Sequence, residues 1–149
     1  MLESERIEAE VLAELSADPR LPAPSEIAVK AYDGAVALRG TVGSFAQRRA
    51  AGDDAGKIQG VYDVDNELQV RLLDSYARED AEIRGAALQS LMLDSAIPSG
   101  ALDVHVTDGW LTLKGEVDYQ YQSDYAFDDV SKLFGIVGIT NEIKVIQNV

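Results

Sequence analysis

One histidine, no cysteine and 26 carboxylates limit the chemistry open to this chain of 149 residues. A lone histidine, His105, cannot form a histidine pair on a metal. Without cysteine there is no thiolate nucleophile, no disulfide and no cysteine-ligated metal. A nucleophile needs an activating base beside it. His105 alternates with Val104 and Val106 in a strand-like run, so it points outward while the valines point inward. Acids are plentiful, but none sits in a pattern that a hydrolytic mechanism demands. Asp63-Val64-Asp65-Asn66-Glu67 opens like a calcium loop. The glycine needed at the sixth position is Leu68, however, and the twelfth position is Asp74 rather than Glu. Asp53-Asp54 recurs as Asp128-Asp129. Neighbouring helix positions point about 100° apart, so neither pair can clamp one ion, and both are expected on solvated helix faces. Gly34, Gly40, Gly109 and Gly115 lack the Lys-Ser/Thr context of a phosphate loop. The expectation is no catalytic residue, no metal ligand and no cofactor.

Aromatic residues are the better candidates for contact with a partner or a lipid. Trp110 precedes Leu111 and Leu113, and alternation turns those two inward and Trp110 outward. Tyr119, Tyr121, Tyr125 and Phe127 follow closely, and Tyr32 is the corresponding feature of the first half. Exposed aromatics mark interfaces. The competing reading is that they pack against a sister unit or another subunit.

Charge narrows the partners. The formal net charge is −13, with 8 basic and 13 acidic residues in 1–71 and 5 and 13 in 72–149. Such a field repels phosphate backbones and anionic headgroups at long range, and nucleic acid is not an expected partner. Mean hydropathy is −0.09, and no apolar run of 18 residues is present to span a membrane. The acidic start, Met1 to Arg6, does not read as a signal peptide. The expected compartment is the cytoplasm, or the periplasm if an export segment has been removed.

The elements that position these residues come in a repeating order. Residues 3–16 read as a helix, with Ile7, Val11 and Leu15 in a stripe and Leu12 beside them. Three prolines between Pro19 and Pro24 end it. Two alternating strands follow, joined by Asp33-Gly34, a dipeptide that accepts the positive φ a two-residue hairpin turn requires. Ile27, Val29, Ala31, Val36, Leu38 and Val42 face one side, and Gly40 marks a bulge or close backbone approach. Ser44 with Gln47 matches a capping box for a second helix. That helix presents Ala51, Ala55 and Ile58, and Gly60 is expected as its C′ residue. Val61–Val70 reads as the third strand.

The same order returns 75 residues later. Residues 77–92 carry Ile83, Ala87 and Leu91. The hairpin turns at Asp108-Gly109, and Gly115 stands where Gly40 stands. A helix over 121–134 turns Ala126, Val130 and Leu133 inward. Gly135 and Asn141 repeat Gly60 and Asn66. A constant offset over about forty residues is a duplication, giving units 1–71 and 72–149. The join, 71–77, is short and has no Gly or Pro, so little freedom is expected there.

Val104, Val106, Asp108, Gly109, Leu111, Leu113, Gly115 and Val117, then Gly135, Ile136, Gly138, Ile139, Asn141, Ile143 and Val145, resemble the BON domain. The name comes from bacterial osmotically inducible and nodulation proteins. The first copy matches through Asp33, Gly34, Val36, Leu38, Gly40, Val42, Gly60, Val61, Val64 and Asn66. The resemblance implies an α+β fold of two tandem αββαβ units, each a three-stranded mixed sheet with two helices on one face. The other face is then open, with Trp110, Thr112 and His105 on one copy and Tyr32 and Lys30 on the other. It also implies a non-catalytic module linked with osmotic stress or the envelope, binding phospholipid or protein partners. A cytoplasmic structural protein that self-associates through its open sheet faces is the alternative. The first copy departs from the pattern at Ala31 and Ala35-Val36-Ala37, and the second has Tyr125 and Phe127 where the first has Ala50 and Gly52.

Overall fold

The computed structural model describes residues 2–72, 78–98 and 100–146, and it divides into two compact units, Met1–Arg71 and Leu72–Val149. The short join read at 71–77 falls largely on residues 73–77, outside the described residues. In the first unit, α1 (Glu3–Ala17) leads through a one-turn 3₁₀ segment, Pro24–Glu26, into β1 (Ile27–Tyr32) and β2 (Ala35–Val42). Then come α2 (Phe45–Gly56), β3 (Asp63–Asn66) and the two-residue β4 (Gln69–Val70). β1 and β2 are antiparallel, and β2 pairs in parallel with β3 and then β4. The second unit is α3 (Asp80–Leu93), β5 (Leu102–Thr107), β6 (Trp110–Val117), α4 (Gln120–Ser131) and β7 (Gly138–Val145). Its sheet order is β5-β6-β7, antiparallel then parallel. The expected mixed α+β units are present twice.

Both hairpins turn through two consecutive positive-φ residues, Asp33 (48°) with Gly34 (80°) and Asp108 (49°) with Gly109 (81°). That turn twists in the sense of the strands and sets their register. The register places Val36, Leu38 and Val42 on one face, all buried, opposite buried Ile27 and Ala31 and half-buried Val29. Ile7, Val11 and Leu15 from α1 and Ala50, Ala51 and Ala55 from α2 close over that face. Leu12 departs from the expected stripe: it is exposed, because it lies about 100° around the helix from Val11. In the second unit the corresponding core is Ile83, Ala87, Leu91, Val104, Leu111, Leu113, Val117, Ala126 and Val130.

Gly40 and Gly115 both hold φ of +136°. A Cβ there would lie 2.1 Å from the Glu26 carbonyl oxygen and 2.3 Å from that of Ala101. This is the close approach the sequence signals, made where the chain entering β1 or β5 comes alongside β2 or β6.

Three details differ from the sequence reading. Gly60 is not the residue that terminates α2. The helix ends at Gly56, and Gly60 (φ +98°) makes the later turn, which packs on α1 near Arg6 and Ile7. α4 likewise stops at Ser131, short of 134, and Leu133 is half-buried beyond it. The capping box is offset. Ser44 Oγ accepts from Gln47 N at 3.1 Å, but Gln47 Oε1 accepts from Gly43 N rather than from Ser44.

The third strand of the first unit is interrupted at Glu67-Leu68. Arg48 of α2 reaches across the break, donating to the carbonyls of Leu68 (2.9 Å) and Asn66 (2.5 Å). Asn66 answers by donating to Arg48 O at 2.8 Å and accepting from Leu68 N at 3.2 Å. In the second unit Ser123 occupies the place of Arg48. Asn141 bonds to its hydroxyl at 3.0 Å and accepts from Ile143 N, and β7 runs unbroken.

Three outcomes are expected. Gly115→Ala destabilises by roughly 1–3 kcal/mol from overpacking and backbone strain. Gly85→Ala, in α3 with nothing within 4 Å of its new Cβ, stabilises by about 1 kcal/mol. Urea denaturation followed by Trp110 fluorescence compares them. Asn66→Ala removes both side-chain bonds to the α2–β3 junction and costs about 1–3 kcal/mol, measured by the same denaturation followed by circular dichroism.

Candidate functional site

The direct cross-strand pairs lay out the open face of the second sheet in rows. Thr107, Trp110 and Gly138 form one, His105, Thr112 and Thr140 the next, and Asp103, Lys114 and Glu142 the third. Trp110 is 48% exposed and lies flat over Gly138, where a Cβ would meet the indole at 2.3 Å. Its Nε1 donates to Thr140 Oγ1 at 2.7 Å. The indole is therefore seated on its own sheet, with one face covered. His105 is exposed and its Nε2 lies 3.2 Å from Thr107 Oγ1.

The first sheet uses different residues in the same rows: Tyr32, Ala35 and Asp63; Lys30, Ala37 and Asp65; then Ala28 and Arg39, beside which Glu67 stands in the break of the third strand. Ala37 on the central strand and Ala28 beside it make a low floor. Tyr32, Lys30, Arg39, Asp65 and Glu67 stand around it and line a shallow trough of about 350 Å³. Arg39 Nε donates to Glu67 Oε2 at 2.9 Å across one wall. Trp110 and Thr112 occupy the equivalent space in the second unit, so the departure at Ala35-Val36-Ala37 has a structural consequence.

Tyr119, Tyr121 and Tyr125 are brought together at the start of α4, each about half exposed. Tyr119 and Tyr121 stack with ring centroids 5.7 Å apart, and Tyr121 meets Tyr125 edge to face at 5.6 Å. Gln122, on the same turn but buried, accepts from Asp118 N and Tyr119 N and donates to Ala96 O at 3.1 Å, which holds this end of the helix in place. Trp110 does not join the tyrosines. It begins β6 and they follow its end, so eight strand residues at about 3.3 Å each keep them roughly 25 Å apart. Nearness in sequence did not become nearness in space. A cleft at the Asp108-Gly109 turn is bordered by Arg78, Asp80, Gly135 and Val137. Asp80 fills part of it by accepting from the turn amides of Asp108 (2.9 Å) and Gly109 (3.0 Å).

The acid pairs do not lie wholly on solvated faces. Asp53 is exposed, but Asp54 is 2% exposed. In the second unit Asp129 Oδ2 is buried as well. The 100° step that keeps paired acids from sharing an ion also sends one of each inward. Burial pushes the Asp54 carboxyl up to about 6, with Asp18 adding to the effect. Burial pushes Asp129 up to about 7, with Asp94 adding. Asp18 goes the other way, held well below the usual carboxylate range by its bonds to Arg20. Nothing in the sequence alone pointed to these pairings, because Asp18 and Asp94 sit in loops some 35 residues from their partners.

A family model described as the BON domain matches residues 3–71 and again 79–147. Osmotically-inducible protein Y of Escherichia coli (strain K12) is 34% identical over 128 residues, which is 80% of this chain and 62% of that protein. This chain therefore spans less than two thirds of that relative's length. Among solved structures, CdsD, a structural protein of the type III secretion system of Chlamydia trachomatis, is similar with a TM-score of 0.41 at 15% identity. The likeness covers 97% of this chain and 64% of that one. The C-terminal domain of CdsD gives 0.39 at 15% identity, covering 97% and 68%. At these scores the structural likeness supports no inference. The two family matches fall on the duplicated helix–hairpin–helix–strand units, and this chain belongs to the BON domain family, carrying the domain twice in tandem.

Proposed function

We propose that the chain is a non-catalytic binding module of the osmotic-stress response, and that its partner docks on the tyrosines of α4. The link to osmotic stress rests on the relationship to osmotically-inducible protein Y. The observation that carries the docking surface is the Tyr119–Tyr121–Tyr125 group. Three large, stiff, half-exposed rings are already held against one another. Tyrosine offers much contact area for little lost side-chain freedom, so a pre-assembled group of this kind favours binding. Asp118 and Asp124 flank the rings, and the second unit's excess of acids disfavours an anionic surface. The partner is a neutral, zwitterionic phospholipid surface or a protein. Trp110, half covered by Gly138 and bonded to Thr140, has mainly a structural role on its sheet.

Self-association through the open sheet faces is the second reading. The alanine-floored trough beside Tyr32 favours it, because a side chain of a second copy could enter it.

Flotation with zwitterionic and with anionic phospholipid vesicles, at low and high salt, tests the leading reading together with sedimentation equilibrium. The expected result is salt-insensitive flotation with zwitterionic vesicles, reduced at least tenfold by replacing Tyr119, Tyr121 and Tyr125 with Ser. A monomer that floats with no vesicle redirects the search to protein partners. A mass that rises with concentration and is lowered by Tyr32→Ser supports self-association instead. Binding that survives the triple replacement removes the tyrosine surface from the account.

A further inference from the structure

Each unit ties the end of its first helix to its second helix through two carboxyl groups. In the first unit Asp18, the residue following α1, and Asp54 of α2 lie within hydrogen-bonding reach of each other. Their side chains are only 6% and 3% exposed. In the second, Asp94 follows α3 and faces Asp129 of α4 in the same way. The loop carboxylates are held alike. Asp18 Oδ1 accepts from Arg20 N and Asp94 Oδ1 accepts from Ala96 N, both at 2.9 Å. The helix carboxylates also share a feature: Asp54 Oδ2 and Asp129 Oδ2 are buried and no donor reaches either one. Two ionised carboxylates are both acceptors, so a buried pair has no bond to make unless one of them carries a proton.

We propose that each unit contains a proton-binding site, Asp18 with Asp54 and Asp94 with Asp129, in which one shared proton joins the two helices. The proton resides on the helix member, and its O–H donates to the loop carboxylate. Loss of that proton leaves two adjacent negative charges, with the helix member's Oδ2 buried, and loosens the helix end from its neighbour.

The charged groups around the two sites differ. Around Asp54 stand Asp18, Arg20 and Lys57. Arg20 Nη2 lies 2.7 Å from Asp18 Oδ2 and 3.6 Å from Asp54 Oδ1, and Lys57 Nζ lies 3.7 Å from Asp54 Oδ1. Asp53 adds to the field on Arg20. These cations favour ionisation. Around Asp129 stand Asp94, Asp128 and Lys132. Ala96 replaces Arg20, Asp128 adds negative charge, and Lys132 Nζ is drawn to Asp128 Oδ2 at 3.2 Å. The second unit therefore holds its proton to a higher pH.

The sign follows from proton counting. A folded state that binds a proton the unfolded chain does not bind loses stability as pH rises. The window runs from the ordinary Asp value of 3.8 to about 7 for Asp129, and to about 6 for Asp54. Above it the loss is complete. Asp18 contributes in the opposite sense. Its stabilisation is present above 3.8 and disappears as pH falls through its lowered folded value.

The test uses the full chain. Trp110 is the single tryptophan and reports the second unit. Urea unfolding followed by its fluorescence, between pH 5 and 7, is expected to show an unfolding constant that rises by up to about tenfold per pH unit. Asp129→Asn, whose amide donates to Asp94 at every pH, is expected to remove that rise. A slope that persists in Asp129→Asn overturns the proposal. Should that variant not fold, carboxyl ¹³C titration of the unaltered protein decides. Midpoints near 7 for Asp129 and near 6 for Asp54 support the shared proton, and midpoints at or below about 4 for both overturn it.

Discussion

Register in the two hairpins is the constraint on which the rest depends. A slip of one residue would turn Val36 and Leu38, or Leu111 and Leu113, toward solvent and empty both cores. The Asp-Gly turns prevent that slip, since their paired positive φ values admit one way of folding the strands back. Glycine at residues 40 and 115 then lets the chain entering β1 or β5 come alongside the central strand within contact of its backbone. With the register held, two helices cover one face of each sheet and the other face is left for cross-strand rows of polar, small and aromatic residues.

Units of about 70 residues bury limited apolar area, and polar groups help to hold their layers together. Asn66 and Asn141 join a helix to the third strand. Gln122 joins α4 to the loop leaving α3. The carboxyl pairs join the two helices. A buried polar group without its partner costs more than the bond would have gained. Such contacts therefore define the arrangement more sharply than they stabilise it.

The two copies keep the same frame and differ in what they attach to it. Arg48 bonds to the Asn66 and Leu68 carbonyls at the strand break in one, where Ser123 accepts a bond from Asn141 in the other. Arg20 brings a positive charge to one carboxyl pair, and Ala96 brings only its backbone N–H to the other. A trough over Ala28 and Ala37 opens the first face, where Trp110 and Thr112 stand on the second. Tyrosines occupy the start of α4, with no counterpart on α2. Substitutions at positions outside the core changed surface and electrostatics while leaving the register intact, as expected when the apolar pattern alone carries the fold.

Much of this was legible in the sequence. The 75-residue repeat, the strand alternation around Asp33-Gly34 and Asp108-Gly109, and the helix stripes of Ile7, Val11 and Leu15 or Ile83, Ala87 and Leu91 are local patterns. Local patterns determine element type, order and facing, because a period of 2 or 3.6 is written directly in the chain. Helix ends at Gly56 and Ser131 were less legible, since a glycine further on signals a turn without saying that the helix has reached it. Only the tertiary structure could separate Trp110 from the tyrosines, seat its indole on Gly138 and bring Asp18 to Asp54 and Asp94 to Asp129. Those outcomes depend on distances through space between residues that lie far apart in the chain, and on burial that neighbouring elements create. An aspartate next to another aspartate on a helix reads as surface until a third, from a distant loop, is packed over it.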